Sequence, residues 1–164
     1  MEPLFELDDK DYDINAQCIE AVTVRAIIRD GDCIAVQQAS NGLCKLIGGG
    51  VEGNETHILT LKREIAEEAG RKLLEDSVSL IGYSIEKHKD IFDSSKVFTR
   101  KTYFYECKIS DEIIACNMTG SEIDAGFKMK MLTPEEIIIA NESFKNKSWV
   151  LRDTIFVENY LNFK

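Results

Sequence analysis

The sequence predicts an α/β fold in a single domain spanning residues 1–164, and three observations carry that reading. Runs such as IEAVTVRAII and VFTRKTYFYECKI are rich in β-branched and aromatic residues, the composition of strands. Between them, Ile58, Leu61, Ile65 and Ala69 recur at the spacing of one helix face. The chain carries no linker rich in Pro or Gly, no low-complexity segment and no internal repeat, so one core serves all of it.

The elements follow in order. Residues 1–16 are acidic and weakly patterned and read as a loosely docked arm. A strand begins at Ile19. Arg29-Asp30-Gly31-Asp32 then offers a turn, and CIAVQQA a partner strand, which predicts a hairpin. Asn41-Gly42 signals a further turn before the short apolar LCKLI. After Gly48, Gly49 and Gly50 an irregular loop leads to a helix from about Thr56 to Ala69, with Thr56 as its cap and Gly70 as its stop. SVSLIGYSIEKH and VFTRKTYFYECKI read as strands about the loop KDIFDSSK. Arg100 and Lys101 read as a solvated strand end, with substrate phosphate as the alternative contact. NMTGSEID reads as a loop, and GFKMKML as a short strand with Lys128 and Lys130 on its wet face. Met129, Met131, Tyr103, Phe104 and Tyr105 read as core. Thr133-Pro134-Glu135-Glu136 opens a short helix, and a last helix covers about Ser148 to Leu161.

Composition narrows the function. The formal net charge of −9 argues against a binder of nucleic-acid polymers, which needs a basic face. No apolar run is long enough to span a bilayer, and the acidic start has no signal-peptide pattern, which points to the cytoplasm. Five cysteines without a C-x-x-C pair argue against a disulfide framework or structural zinc and read as buried thiols. His57 and His88 form no metal-spacing motif. His57 falls near a helix start, where a near-surface polar role is expected.

The chemistry concentrates in GGGVEGNETHILTLKREIAEEAG, residues 48–70. At about 100° per residue, Glu64, Glu67 and Glu68 fall in one arc beside the apolar stripe. Acids at this spacing repel one another, so the cluster needs a reason. Divalent cations supply one. Mg²⁺ prefers oxygen ligands and uses a few carboxylates together with substrate phosphates. A helix holds such carboxylates rigidly, and glycines let neighbouring backbone approach.

The spacing Gly49, Glu55, Arg63-Glu64, Glu67-Glu68 and Gly70 resembles the Nudix box, G-x5-E-x7-R-E-U-x-E-E-x-G-U, in which U is bulky and apolar. Ile65 fits the first U, and Arg71 departs from the last. Leu46-Ile47-Gly48-Gly49 is similar to the family's L-P-G-G, with Ile47 for proline. Asn54 stands where glycine is usual. Met131-Leu132-Thr133-Pro134-Glu135-Glu136 is similar to its strand-to-helix junction W-V-x-x-E-E.

The resemblance implies the Nudix fold, a mixed β-sheet sandwiched between helices, and Mg²⁺-dependent hydrolysis of a pyrophosphate bond, with Mn²⁺ as the alternative ion. The implied substrate is a nucleoside diphosphate linked to another moiety, such as a nucleoside triphosphate or a nucleotide sugar. By the resemblance, Glu67 and Glu68 are the main metal ligands and Glu64 is a further ligand or the base. Gly48 lends a carbonyl to the metal. Arg63 orients the box carboxylates, and Glu55 and Gly49 belong to the outer shell. Some family members take the base from a later loop, where Glu122 and Asp124 stand. Two other readings remain beside the enzyme. One is a non-hydrolysing nucleotide sensor or partner-binding domain on the same fold, against which the three retained acids count. The other is a metal buffer, against which the single site and Arg63 count. The final helix and the arm are open to use in a homodimer.

Overall fold

A computed structural model of the chain describes residues 1–161, so the last three residues of the predicted domain lie outside the described part. Among the described residues, eight strands form two sheets. In the first, β1 (Phe5–Asp8), β6 (Leu73–Lys89), β7 (Lys96–Ile109) and β2 (Gln17–Ile27) lie in that order. β1 runs parallel to β6, β6 antiparallel to β7, and β7 parallel to β2, so the sheet is mixed. In the second, β4 (Cys33–Gln38) pairs antiparallel with β3 (Arg29–Asp30), β5 (Cys44–Leu46) and β8 (Lys128–Leu132).

The period-2 alternation of β2 and its continuation divides the interior into two cores. Val24, Ala26 and Ile28 face one core with Ile47 and with Leu61, Ile65 and Ala69 of the long helix. Ile27 faces the other, with Phe104, Ile137, Phe156 and Val157. Helices therefore cover both faces. α1 (His57–Glu64) lies on one side; α3 (Pro134–Asn141) and α4 (Ser148–Tyr160) lie on the other. The Phe104 and Phe156 rings stack at 3.7 Å between centroids and join the first sheet to α4.

Several expectations change. The arm is docked rather than loose: β1 adds a parallel strand to β6, and Leu4 packs where Gly82 has no side chain. The predicted hairpin is confined to β3 and β4, because the body of β2 pairs with β7 instead. The expected loop at NMTGSEID contains a helical turn, α2 (Gly120–Asp124), opened by a capping box between Thr119 and Glu122. Ile58 and Met131 are exposed, so the helix stripe begins at Leu61 and only Met129 of the pair packs on the core. Only Cys44 and Cys107 of the five free thiols are buried, and Cys18 and Cys116 are exposed. Arg100 is no solvated strand end, since its Nε is buried.

Candidate active site

The box forms a loop and a helix, as its spacing requires. Thr56 caps α1 by accepting from the Leu59 amide, and the chain continues past Glu64 as a wider π-turn, Ile65–Ala69. Gly70, in the left-handed conformation at φ 59°, ends it. A π-turn offsets the residues after it from ordinary α spacing. Glu68 lies inward at 2% exposure and Glu64 at 9%, while Glu67 stays half-buried.

Gly48 and Gly49 are required by what they touch. A side chain on Gly49 would overlap the Glu64 carboxylate, and one on Gly48 would overlap the Val24 carbonyl. The loop is stitched to β2, where the amides of Val24 and Ala26 donate to the carbonyls of Gly49 at 2.9 Å and Ile47 at 2.8 Å.

Arg63 organises the acids. Its Nε and Nη2 grip Glu55 as a fork, at 2.9 and 3.0 Å. Nη1 donates to Glu64 at 2.7 Å and reaches Glu67 at 3.5 Å, and Nη2 also donates to the Gly50 carbonyl at 2.9 Å. The Arg63 and Thr60 hydrogen bonds bring the Glu55 carboxyl down to about 2. These acids raise the pKa of Arg63 in turn, Glu55 foremost. Burial, then repulsion by Glu64, raises Glu67, and Arg63 opposes both.

Glu68 answers to a second cation that the sequence reading passed over. Lys45 on β5 places its ammonium 2.5 Å from Glu68 and 2.9 Å from Glu122. The Gly48 amide donates to the other Glu68 oxygen at 2.8 Å. Burial still raises the Glu68 carboxyl, against the pull of Lys45. For Glu122, burial acts upward but the Lys45 and Thr119 hydrogen bonds win and lower it to about 2. A carboxyl that acidic is a poor proton acceptor near neutrality. Asp124 is exposed, and among the described residues no hydrogen bond or ion pair ties it to the cluster. Of the two later-loop candidates, the fold brings only Glu122 to the acids.

Arg25 was also passed over, although a charge inside the apolar run TVRAII is a signal of a buried partner. At 6% exposure it donates to the Gly48 carbonyl and lies 3.8 Å from Asp153. A carbonyl has two lone pairs, so this contact leaves one for another partner. His57 is half-buried, and its Nδ1 lies 2.7 Å from the Tyr105 hydroxyl. Arg71, which departs from the box, donates to the Asp111 carbonyl at 2.6 Å and ties the helix end to the segment after β7.

Among the described residues, no three His, Cys, Asp or Glu side chains converge closely enough to enclose a metal ion as they stand. The donor chemistry nevertheless fits a hard divalent cation. Glu64, Glu67 and Glu68 present oxygen ligands alone, and all three lie against protein cations that stand in for one, Glu67 least closely. A cleft of about 630 Å³ opens beside this cluster, lined by Gly49, Gly50, Arg25, Lys45, Arg100 and Trp149 among others. Its size suits a small-molecule site.

Comparison with known proteins agrees with this architecture. A family model described as the NUDIX domain matches residues 20–152. No curated protein matches the chain. Among solved structures, a Nudix hydrolase from Nitrosomonas europaea is similar at 18% identity and a TM-score of 0.55, covering 85% of this chain and 88% of that one. A MutT structure from work on Aliivibrio salmonicida and Vibrio cholerae is similar at 14% identity and a TM-score of 0.53, covering 87% of this chain and 98% of that one. At these identities the likeness is one of fold.

Proposed function

We propose, from the premise that the chain belongs to the Nudix family, that its acid cluster performs the pyrophosphohydrolase chemistry of that family on a small-molecule nucleotide. Family membership makes it a Nudix-type pyrophosphohydrolase of nucleoside diphosphate derivatives. The finer assignment is ours. Glu67 and Glu68, with the free lone pair of the Gly48 carbonyl, would hold Mg²⁺ or Mn²⁺. When bound, such an ion neutralises phosphate charge and acidifies water. Glu64 takes the proton of the attacking water or completes the ligand set. The water oxygen bonds to phosphorus as the bridging P–O bond breaks, giving a nucleoside monophosphate and the phosphorylated remainder. Arg63 keeps Glu64 and Glu67 aimed by its fork on Glu55. Glu122 belongs to the holding of Lys45 rather than to proton transfer.

The observation that carries this reading is the pairing of the inward acids with two protein cations, Lys45 on Glu68 and Arg63 on Glu64. A buried carboxylate cluster is costly without positive charge, so it marks a place built for cations. Lys45 also favours a second reading, a non-hydrolysing nucleotide sensor in which the ammonium stays on Glu68. For that reason the decisive measurement offers nucleoside triphosphates, nucleotide sugars, ADP-ribose and dinucleoside polyphosphates with Mg²⁺, Mn²⁺ or excess chelator, and identifies the products. Metal-dependent release of a nucleoside monophosphate supports the enzyme. Binding without turnover on every member selects the sensor, and turnover undiminished in chelator refutes the metal assignment.

The elements open to a dimer are used within the chain, β1 on β6 and α4 against Phe104. Our reading therefore needs no second copy. Among the described residues no helix is long and apolar enough to cross a membrane. The five free thiols support a reducing compartment such as the cytoplasm.

A further inference from the structure

Glu68 is positioned by two contacts that need no cation. Gln37 on β4 donates from its side-chain amide to the Glu68 backbone carbonyl, and the Gly48 amide donates to one Glu68 carboxylate oxygen at 2.8 Å. Gln37 and Lys45 are partners across the β4–β5 ladder, so their side chains leave the same face of the second sheet. Cys44 and Leu46, on either side of Lys45, are buried in the core on the opposite face. Side chains of the last helices hold β5 in that orientation. Asn141 takes both the amide and the carbonyl of Cys44, at 2.8 and 3.1 Å, and Asp153 takes the Leu46 amide at 3.0 Å. The strand therefore aims Lys45 at the carboxylate.

The Lys45 ammonium thus adds charge to a carboxylate already in place. It lies 2.5 Å from the second Glu68 oxygen. It also has partners in the stretch between β7 and β8, Glu122 at 2.9 Å and the Phe127 ring at 5.2 Å. Glu122 is fixed without its help, because its other oxygen accepts from the Thr119 amide at 2.9 Å in the capping box of α2. Arg63 differs in kind. Its planar fork is committed to Glu55 through two donors while it holds Glu64. Lys45 is a point charge on a flexible stem lining the cleft, with one acid to leave and another to stay with. A divalent ion on Glu68 would meet that charge across a single carboxylate, where burial leaves the repulsion poorly screened.

We infer that Lys45 is a built-in counter-ion which a divalent cation must displace from Glu68, and that Glu122 keeps the ammonium as the ion enters. The inference rests on the proposed role of Glu68 as a metal ligand and adds how occupancy of that site is regulated. Metal uptake is an exchange of one cation for another. Without an ion the buried acid stays neutralised by Lys45. The ion concentration at which the site fills is set by Lys45 and Glu122 together with the box acids, so charge outside the box tunes the response to metal.

Mn²⁺ is the probe, and its free concentration is read by electron paramagnetic resonance in the absence of nucleotide. Lys45→Met should bind Mn²⁺ about tenfold more tightly than wild type, or better. Lys45→Gln, also neutral, replaces a Lys45→Met protein that fails to fold. Lys62→Met is the charge control, since Lys62 sits on α1 but pairs with the exposed Glu75 at 2.7 Å; its affinity should match wild type within about twofold. Glu122→Gln alone should weaken Mn²⁺ binding about threefold, by leaving the ammonium to Glu68. In the Lys45→Met background the same change should do nothing, because its effect passes through Lys45. Wild-type affinity in the folded Lys45 variant, equal tightening by Lys62→Met, or a Glu122 effect undiminished without Lys45 would overturn the exchange. Any of these beside metal-dependent hydrolysis leaves the proposed function standing. Mn²⁺ binding by Lys45→Met but not by wild type, with no hydrolysis by wild type, supports the counter-ion and hands the site to the sensor reading. No Mn²⁺ binding by wild type or any variant overturns both.

Discussion

Replacing Gly49 by alanine offers a sharp test of the acid site, because it moves one carboxylate and little else. The added methyl would lie well inside van der Waals contact with the Glu64 carboxylate. The neighbour it meets is the end of a flexible side chain, so the carboxylate retreats by about 1 Å rather than the backbone giving way. Stability should change little, within about 1 kcal/mol, which for a chain of this size is about 2–4 °C in Tm. Activity should change far more. A misplacement of about 1 Å in a catalytic constellation costs on the order of 100-fold, or about 2.7 kcal/mol of barrier. The assay compares kcat and Tm of wild type, Gly49→Ala and Glu64→Gln on the best substrate of the panel. Gly120→Ala serves as the control, since it meets nothing within 4 Å at the start of α2. The two site variants should lose turnover to a similar degree while melting near the wild type, and the control should keep its rate. Full turnover in Gly49→Ala would refute a positioned Glu64. A fall in Tm of 10 °C or more would show the glycine serving the fold instead.

Three further outcomes follow from the same contacts. Glu67→Gln should lower kcat at least about 100-fold and leave Tm unchanged or higher, because it removes the repulsion from Glu64; a wild-type rate by product assay would dismiss Glu67 from the chemistry. Glu55 and Glu122, both lowered to about 2, add stability that is complete above an ordinary carboxyl pKa and lost as pH falls from about 5 toward 2. Acid unfolding followed by circular dichroism should therefore be shallower over that range in Glu55→Gln and Glu122→Gln, and curves parallel to wild type would contradict the assignment. Arg152 is fully buried with Glu86 at 3.0 Å and Asp153 at 2.6 Å. Arg152→Met strands Glu86 and leaves Asp153 with Arg25 at 3.8 Å and the Leu46 amide at 3.0 Å, and should cost about 3–5 kcal/mol, read as a loss of about 10 °C or more in Tm; a loss under 3 °C would mean Glu86 finds another partner.

Much of the site was legible in the sequence because its parts are close along the chain. A loop and one helix carry Gly49, Glu55, Arg63, Glu64, Glu67 and Glu68, and helical spacing alone puts the acids in one arc. The same local rules revealed Thr56 as a cap, Gly70 as a stop and Thr133-Pro134 as a helix start. They failed where a partner lies far away. The arm carries no strong strand pattern, and it is β6 that orders it. Lys45 reads as one polar residue in a short apolar run until β5 brings it against Glu68, 23 positions on.

By itself, then, the sequence determined the order of the main elements, the helix bearing the acids, and an oxygen-only donor set of the kind that suits a divalent cation. Those are properties of spacing and side-chain chemistry within one segment. Only the tertiary structure decided which cation meets Glu68 and which meets the Gly48 carbonyl, because Lys45 and Arg25 arrive from separate strands. It also decided that Arg100 and Trp149, 49 positions apart in the sequence, share a wall of the cleft. Strand alternation sets Arg100 on one face of β7, but only the docking of α4 over that face gives it something to face.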